Sequence, residues 1–185
     1  MTLDNSFINA TEQWLNKVII AHNICPFAKR VVATPQLRFK VHHETDIEIL
    51  LQALIDECLL LDANQAIETS LLIYANALKS FDDYLDFLAI SEDLLIEQGY
   101  EGVYQLASFH PRYCFANAKA DDAANYTNRS PYPMLHLLRE SSIERAIEYT
   151  ADIALIPERN SVMTRALGVQ TWQHLLAACY LQKTL

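Results

Sequence analysis

Residues 69–109, TSLLIYANALKSFDDYLDFLAISEDLLIEQGYEGVYQLASF, decide the reading of the fold. Thr69-Ser70-Leu71-Leu72-Ile73-Tyr74-Ala75 is short and almost wholly apolar, the pattern of a central strand covered on both faces. Ser80 with Asp83 makes a capping box, and Phe81, Tyr84, Leu85, Leu88 and Leu95 then recur at helical spacing up to a stop at Gly99. Gly102 to Phe109 reads as the next strand. Upstream, Arg38 to His43 alternates as a strand does, Thr45 with Glu48 makes a second capping box, and Ile47, Leu50, Leu51, Leu54, Ile55, Cys58 and Leu59 stripe another helix. The order strand, helix, strand, helix, strand predicts an α/β fold. Its core is a small, mostly parallel sheet of three or more strands, joined by right-handed crossovers and flanked by helices. An α+β arrangement with antiparallel neighbours is the alternative topology.

Outward from this unit the chain reads as helical. Phe7, Ala10, Trp14, Val18 and Ala21 stripe an amphipathic helix over residues 7–21, capped by Asn5 or Ser6. Pro133 to Glu140 is expected to be a helix opened by its proline, followed by a segment capped by Ser141 and Glu144 that runs through Tyr149. Pro157 to Leu167, closed by Gly168, and Thr171 to Leu181 complete a C-terminal helical segment. At 185 residues, one domain over 1–185 is the expected count.

With 14 Lys and Arg against 23 Asp and Glu, the chain lacks the basic face that phosphate neutralisation needs, which argues against a nucleic-acid binder. Asp46, Glu48, Asp56, Glu57, Asp82, Asp83, Asp86, Glu92 and Asp93 fall at exposed helical phases and read as solubilising charge. The N-terminus has no basic start before an apolar run, and no stretch is long and apolar enough to predict a membrane span. Cys25, Cys58, Cys114 and Cys179 show neither metal-binding nor disulfide-framework spacing. A cytoplasmic protein without membrane association is expected. Gly99, Gly102 and Gly168 are the three glycines, and none belongs to a nucleotide-binding motif.

Polar chemistry collects in residues 109–140, FHPRYCFANAKADDAANYTNRSPYPMLHLLRE. In open parallel sheets, ligands bind beyond the carboxyl ends of the strands. Here those ends deliver His42, His43, Asn76 and His110, so His110 is the expected acid–base group. If Pro133 opens a helix, His136 and Glu140 share a face. With His110 and Asp121 or Asp122 they sketch a 2-His-carboxylate site for iron, zinc or manganese. The same spacing suits a His–carboxylate hydrogen bond or plain surface pairing. Arg129 and Arg139, with Lys29 and Arg30 converging and Asn125 and Asn128 beside them, would clamp a carboxylate or phosphate, unless each Arg pairs with a local acid. Pro131 and Pro133 stiffen the backbone after Arg129. Cys25 precedes Pro26 and would N-cap a short helix beside Lys29 and Arg30, conditions that favour a thiolate; the plain alternative is a packed thiol.

Three motifs, Cys25-Pro26-Phe27-Ala28, Gln105-Leu106-Ala107-Ser108-Phe109-His110-Pro111, and Asn128-Arg129-Ser130-Pro131-Tyr132-Pro133 running into Leu135-His136-Leu137-Leu138-Arg139-Glu140, give a resemblance that spans nearly the whole chain. The chain resembles a bacterial and plastid family known as a domain of unknown function, the fourteen-fifteenth of its series. That resemblance implies Cys25, His110, Asp122, Asn125, Arg129, His136, Arg139 and Glu140 as motif positions, and it implies no reaction. The expectation is an enzyme acting on a small anionic molecule, with His110, His136 and Cys25 as catalytic groups and a divalent metal as an added element. The alternative is a non-catalytic module that binds a metabolite, cofactor or partner in the same pocket.

Overall fold

The computed structural model describes residues 3–148 and 153–180. Helix α1 (Leu3–Trp14) runs without a break into a π-helical segment, Leu15–Ile20. Then come α2 (Ala28–Val32), β1 (Leu37–His42), α3 (Ile47–Ala63), β2 (Thr69–Tyr74), α4 (Phe81–Glu97) and β3 (Tyr104–Phe109). A 3-10 turn (Ala123–Thr127) leads to β4 (Met134–Arg139), α5 (Glu140–Glu148), a short 3-10 turn (Ile153–Leu155), α6 (Ile156–Leu167) and α7 (Val169–Ala177). Tyr149 and Leu181, where two of the expected helices end, lie outside the described residues.

The four strands form one mixed sheet in the order β1-β2-β4-β3. Strands β1 and β2 pair in parallel, while β4 is antiparallel to both β2 and β3. The expectation of a mostly parallel sheet is therefore corrected. The three strands of the crossover unit do run the same way, but β4 is inserted between β2 and β3 and separates them.

Residues 134–139 were expected to be helical, and their strand conformation is the second correction. Met, Leu and Arg are good helix formers, so local preference alone favours the helix. Extended backbone is imposed from the other side: residues before prolines avoid the α region, which covers Ser130 and Tyr132. The gap between β2 and β3 then offers hydrogen-bond partners on both edges, and β4 meets them in register from Leu72↔Leu135 on one side to Leu106↔Leu137 on the other. Leu135 and Leu137 are completely buried as a result, on the order of 2 kcal/mol of apolar burial each.

The sheet is covered on both faces. Tyr74, Leu72, Leu106, Leu135 and Leu137 pack against α3 and α4 through Leu50, Leu54, Cys58, Tyr84 and Phe87. On the other face Leu71, Ile73 and Met134 meet Trp14, Leu15, Val18, Ile19, Trp172 and Cys179.

Two acids read as solubilising charge do structural work instead. Asp46, not Thr45, caps α3, accepting from the backbone N–H of Glu48 and Ile49 at 2.9 and 3.3 Å. Glu57 is buried, accepting from Arg38 Nε at 2.8 Å and Ser70 Oγ at 2.6 Å. Glu57→Ala is expected to destabilise the fold by about 2 kcal/mol in urea titration, less than a fully enclosed pair because Arg38 keeps a third of its side chain in solvent. An unchanged midpoint would mean that the pair contributes nothing.

Candidate ligand cavity

A cavity of about 430 Å³ lies between the Leu71 face of the sheet, the π-helical segment, the Cys25–Val32 stretch and α5. That volume falls within the range of roughly 300–1000 Å³ typical of small-molecule sites. Its floor is formed by Leu37, Thr69, Gln105 and Leu138 and, one step along the strands, by Leu71, His136 and Ala107. Leu37 and Thr69 open β1 and β2, and Gln105 is the second residue of β3. The cavity therefore sits at the amino ends of the three co-directional strands, opposite to the end expected for a parallel sheet. Strand β4 runs the other way, so its last residues deliver His136 and Arg139 there.

His136 is the polar centre of the floor. Its Nε2 is 2.7 Å from Thr69 Oγ1, and that hydroxyl is 2.6 Å from the Leu137 carbonyl. The hydroxyl's single proton goes to the carbonyl, so Thr69 accepts from His136 and the imidazole proton is on Nε2. Nδ1 then carries a lone pair that receives no hydrogen bond from any described residue and keeps accessible surface. Burial pushes the ring's pKa down to about 4, which leaves it neutral at physiological pH.

Cys25 lines the same cavity, half-buried. Helix α2 starts at Ala28 with Phe27 as its cap, so Cys25 lies two residues before the cap instead of occupying it as expected. Burial raises the thiol's pKa; the backbone N–H groups of Phe27 and Ala28 oppose that shift without reversing it. Cys25 is thus a thiol, and no hydrogen bond joins it to His136. Asn128 also lines the cavity, held by Thr127 Oγ1 at 2.9 Å and by the Ser108 carbonyl at 3.1 Å. Arg30 lies at the wall paired with Glu68 at 2.5 Å, whereas Lys29 borders a separate depression with Glu12 and Asn16.

The remaining expected site residues hold the structure together. His110 faces α4 rather than the cavity, between the rings of Phe81 and Tyr84, each 5.1 Å away. Its Nε2 donates to the Leu78 carbonyl and its Nδ1 accepts from the Arg112 N–H, both at 3.0 Å, so neither nitrogen is open to a substrate or a metal. Leu78 has a φ of 58°, a left-handed conformation costly for a side chain with a Cβ, and His110 helps to hold it. His110→Ala is expected to cost about 2–3 kcal/mol in urea titration, from two lost hydrogen bonds and the void between two rings, while cavity ligands bind as before. Loss of ligand binding at unchanged stability would refute this structural role.

Arg129 donates from Nε to the Tyr113 carbonyl at 3.1 Å and from Nη2 to the Ala120 carbonyl at 2.7 Å, 4.6 Å above the Tyr126 ring. Arg139 borders the cavity, but its guanidinium serves the C-terminal end of α3, donating to the Leu61 and Ile67 carbonyls at 2.5 and 3.2 Å and to Tyr104 Oη at 3.1 Å. Both arginines are bound by backbone carbonyls rather than by acids, and the expected anion clamp does not assemble. Asn125 is wholly buried, accepting from the Phe115 N–H and donating to the Lys119 carbonyl.

The expected metal set is dispersed as well. Asp122 caps the 3-10 turn through Ala124 N–H and receives Nε and Nη2 of Arg165 at 3.0 and 2.8 Å, which hold its carboxyl down at about 2. In a strand, His136 and Glu140 stand roughly 13 Å apart along the chain instead of one helical turn. Among the described residues no group of three or more His, Cys, Asp or Glu is placed to hold a metal ion. Thr69, which orients His136, escaped the sequence reading because its role appears only when β4 lies beside β2. Arg165 escaped it because forty-three residues separate it from Asp122.

Among the described residues no helix is long and apolar enough to cross a membrane. No curated protein and no solved structure matches the chain. The resemblance to a family of unknown function is borne out by a family match over residues 6–174, which takes in every residue that lines the cavity. On that coverage the chain belongs to the family described as "Protein of unknown function (DUF1415)".

Proposed function

We propose that the protein is a cytoplasmic enzyme acting on a small molecule held in this cavity, with His136 as its acid–base group. One observation carries the reading: a neutral imidazole, fixed in one tautomer by Thr69 and the Leu137 carbonyl, keeps an open Nδ1 inside a ligand-sized space. A general base must be unprotonated at working pH and oriented by a further group, and His136 meets both conditions. Thr69 is then a positioning residue. The four free cysteines fit a reducing compartment.

The mainly apolar wall favours a second reading, a module that binds its ligand without converting it. Incubating wild-type protein and His136→Gln with a small-molecule cell extract, followed by mass spectrometry of both solution and protein-bound compounds, separates the two. The enzyme reading expects a compound that wild type converts and His136→Gln binds unchanged. Equal conversion by both proteins would remove His136 from the chemistry, and a compound retained by both but converted by neither would establish the binding module.

A further inference from the structure

Resting on the reading of the cavity as a small-molecule site, we propose that its ligand is an uncharged, mainly apolar molecule carrying one hydrogen-bond donor directed at His136 Nδ1. The apolar part of the argument is the wall itself, which is mainly apolar and includes Trp14, Leu15, Ile19, Phe109, Leu138 and Ile143.

Charge accounting argues against an anion. Arg30 and Arg139 are the two basic residues on the wall. Arg30 is neutralised by Glu68; Arg139 meets no acid, but its guanidinium is turned to the α3 face of the sheet, where its Nη groups donate to the Leu61 and Ile67 carbonyls and to Tyr104. A carboxylate or phosphate would enter an apolar space without a counter-charge, a desolvation cost that a single hydrogen bond does not offset.

Three of the neutral polar groups are committed too. Asn128 is engaged through both ends of its amide, and Asn160 donates to the Ile24 carbonyl at 2.8 Å while accepting from Arg159 at 3.0 Å. Thr69 is committed between His136 and the Leu137 carbonyl. Besides the Cys25 thiol, the Gln105 side-chain amide and the enclosed Arg139 Nε, none of which donates a hydrogen bond to a described residue, the lone pair on His136 Nδ1 is left, an acceptor on the cavity floor. An acceptor there favours a ligand that donates, such as a hydroxyl, an amide or a ring N–H, over one that can only accept.

The experiment compares three probes of one shape: indole, which donates; 1-methylindole, which does not; and indole-5-carboxylate, which is an anion. Each is titrated into methyl-labelled wild-type protein at neutral pH by NMR. The Leu138 and Ile143 methyls report on the cavity, and those of Leu85 and Ile90, exposed on α4, serve as controls. Indole is expected to bind tightest, 1-methylindole roughly fivefold weaker, the weight of one neutral hydrogen bond, and the carboxylate weakest. In His136→Leu, indole and 1-methylindole are expected to converge.

A carboxylate that moves the Leu138 and Ile143 methyls at lower concentration than indole would overturn the ligand class while leaving the cavity reading intact. Equal affinity of indole and 1-methylindole for wild type would overturn the donor requirement and needs no variant to fold. A preference for indole that persists in His136→Leu would overturn His136 as the acceptor. If none of the three probes moves the cavity methyls, the cavity reading itself fails, and this inference falls with it.

Discussion

Arg129→Ala is expected to lower the melting temperature by roughly ten degrees and to leave the binding of cavity ligands unchanged. The guanidinium ties together two points of the long 110–133 connection, the Tyr113 and Ala120 carbonyls, and lies over Tyr126. A hydrogen bond from a charged donor contributes about 1.5–3 kcal/mol when its partner is enclosed and less at an exposed edge, as on the Ala120 side. The ring contact adds about 0.5–1 kcal/mol. Alanine keeps the backbone carbonyl that accepts from Trp14 Nε1 at 2.9 Å, so the loss is confined to the side chain. A total of about 3–4 kcal/mol corresponds to roughly ten degrees in a chain of this length. Calorimetry of the variant beside Arg129→Lys, which can restore one of the two bonds, checks the assignment. A melting temperature within about two degrees of wild type would show that the loop holds without the clamp.

The second large effect is a loss of stability between pH 6.5 and 4. His136 has its folded pKa near 4, below its ordinary 6.5. Between those values the unfolded chain takes up a proton that the folded protein refuses, so acidification favours unfolding. The contribution is complete above pH 6.5, is lost as pH falls through the window, and amounts to about 3 kcal/mol at most. Burial lowers His110 and His42 as well, which adds in the same direction. Asp122 works in a lower window. Its carboxyl is depressed to about 2 by Arg165, so its stabilisation is present above pH 3.8 and fades only toward pH 2. Urea midpoints measured from pH 7.5 to 4 should decline along this curve, and His136→Leu should flatten it. A wild-type midpoint that stays constant down to pH 4 would show that His136 is not desolvated in the folded state.

Much of the architecture could be read from residue pattern. The β1-α3-β2-α4-β3 run was visible because its strands are short and either apolar or alternating, its helices have periodic stripes, and Gly99 closes α4. The family was legible in the sequence as well. Of the expected site residues, Cys25, Arg30, Asn128, His136 and Arg139 do come to one cavity, while His110, Asp122, Asn125 and Arg129 stand elsewhere as clamps and caps. Motif residues of both kinds look alike in a sequence. A histidine with two backbone partners and a histidine with an open nitrogen differ only in what surrounds them.

Sequence by itself determined the class of fold, the direction shared by three strands, the acidic surface and the family, because each follows from local periodicity, composition or contiguous motif. Tertiary structure alone decided that residues 134–139 are a strand. The hydrogen-bonding edges of β2 and β3, twenty-five and more residues away, outweigh a local preference of a few tenths of a kcal/mol per residue. That one decision turned His136 toward Thr69, moved the cavity to the amino ends of the parallel strands and sent the Arg139 guanidinium to α3. The chemistry of the site follows from the pairing of β4 rather than from its own residues.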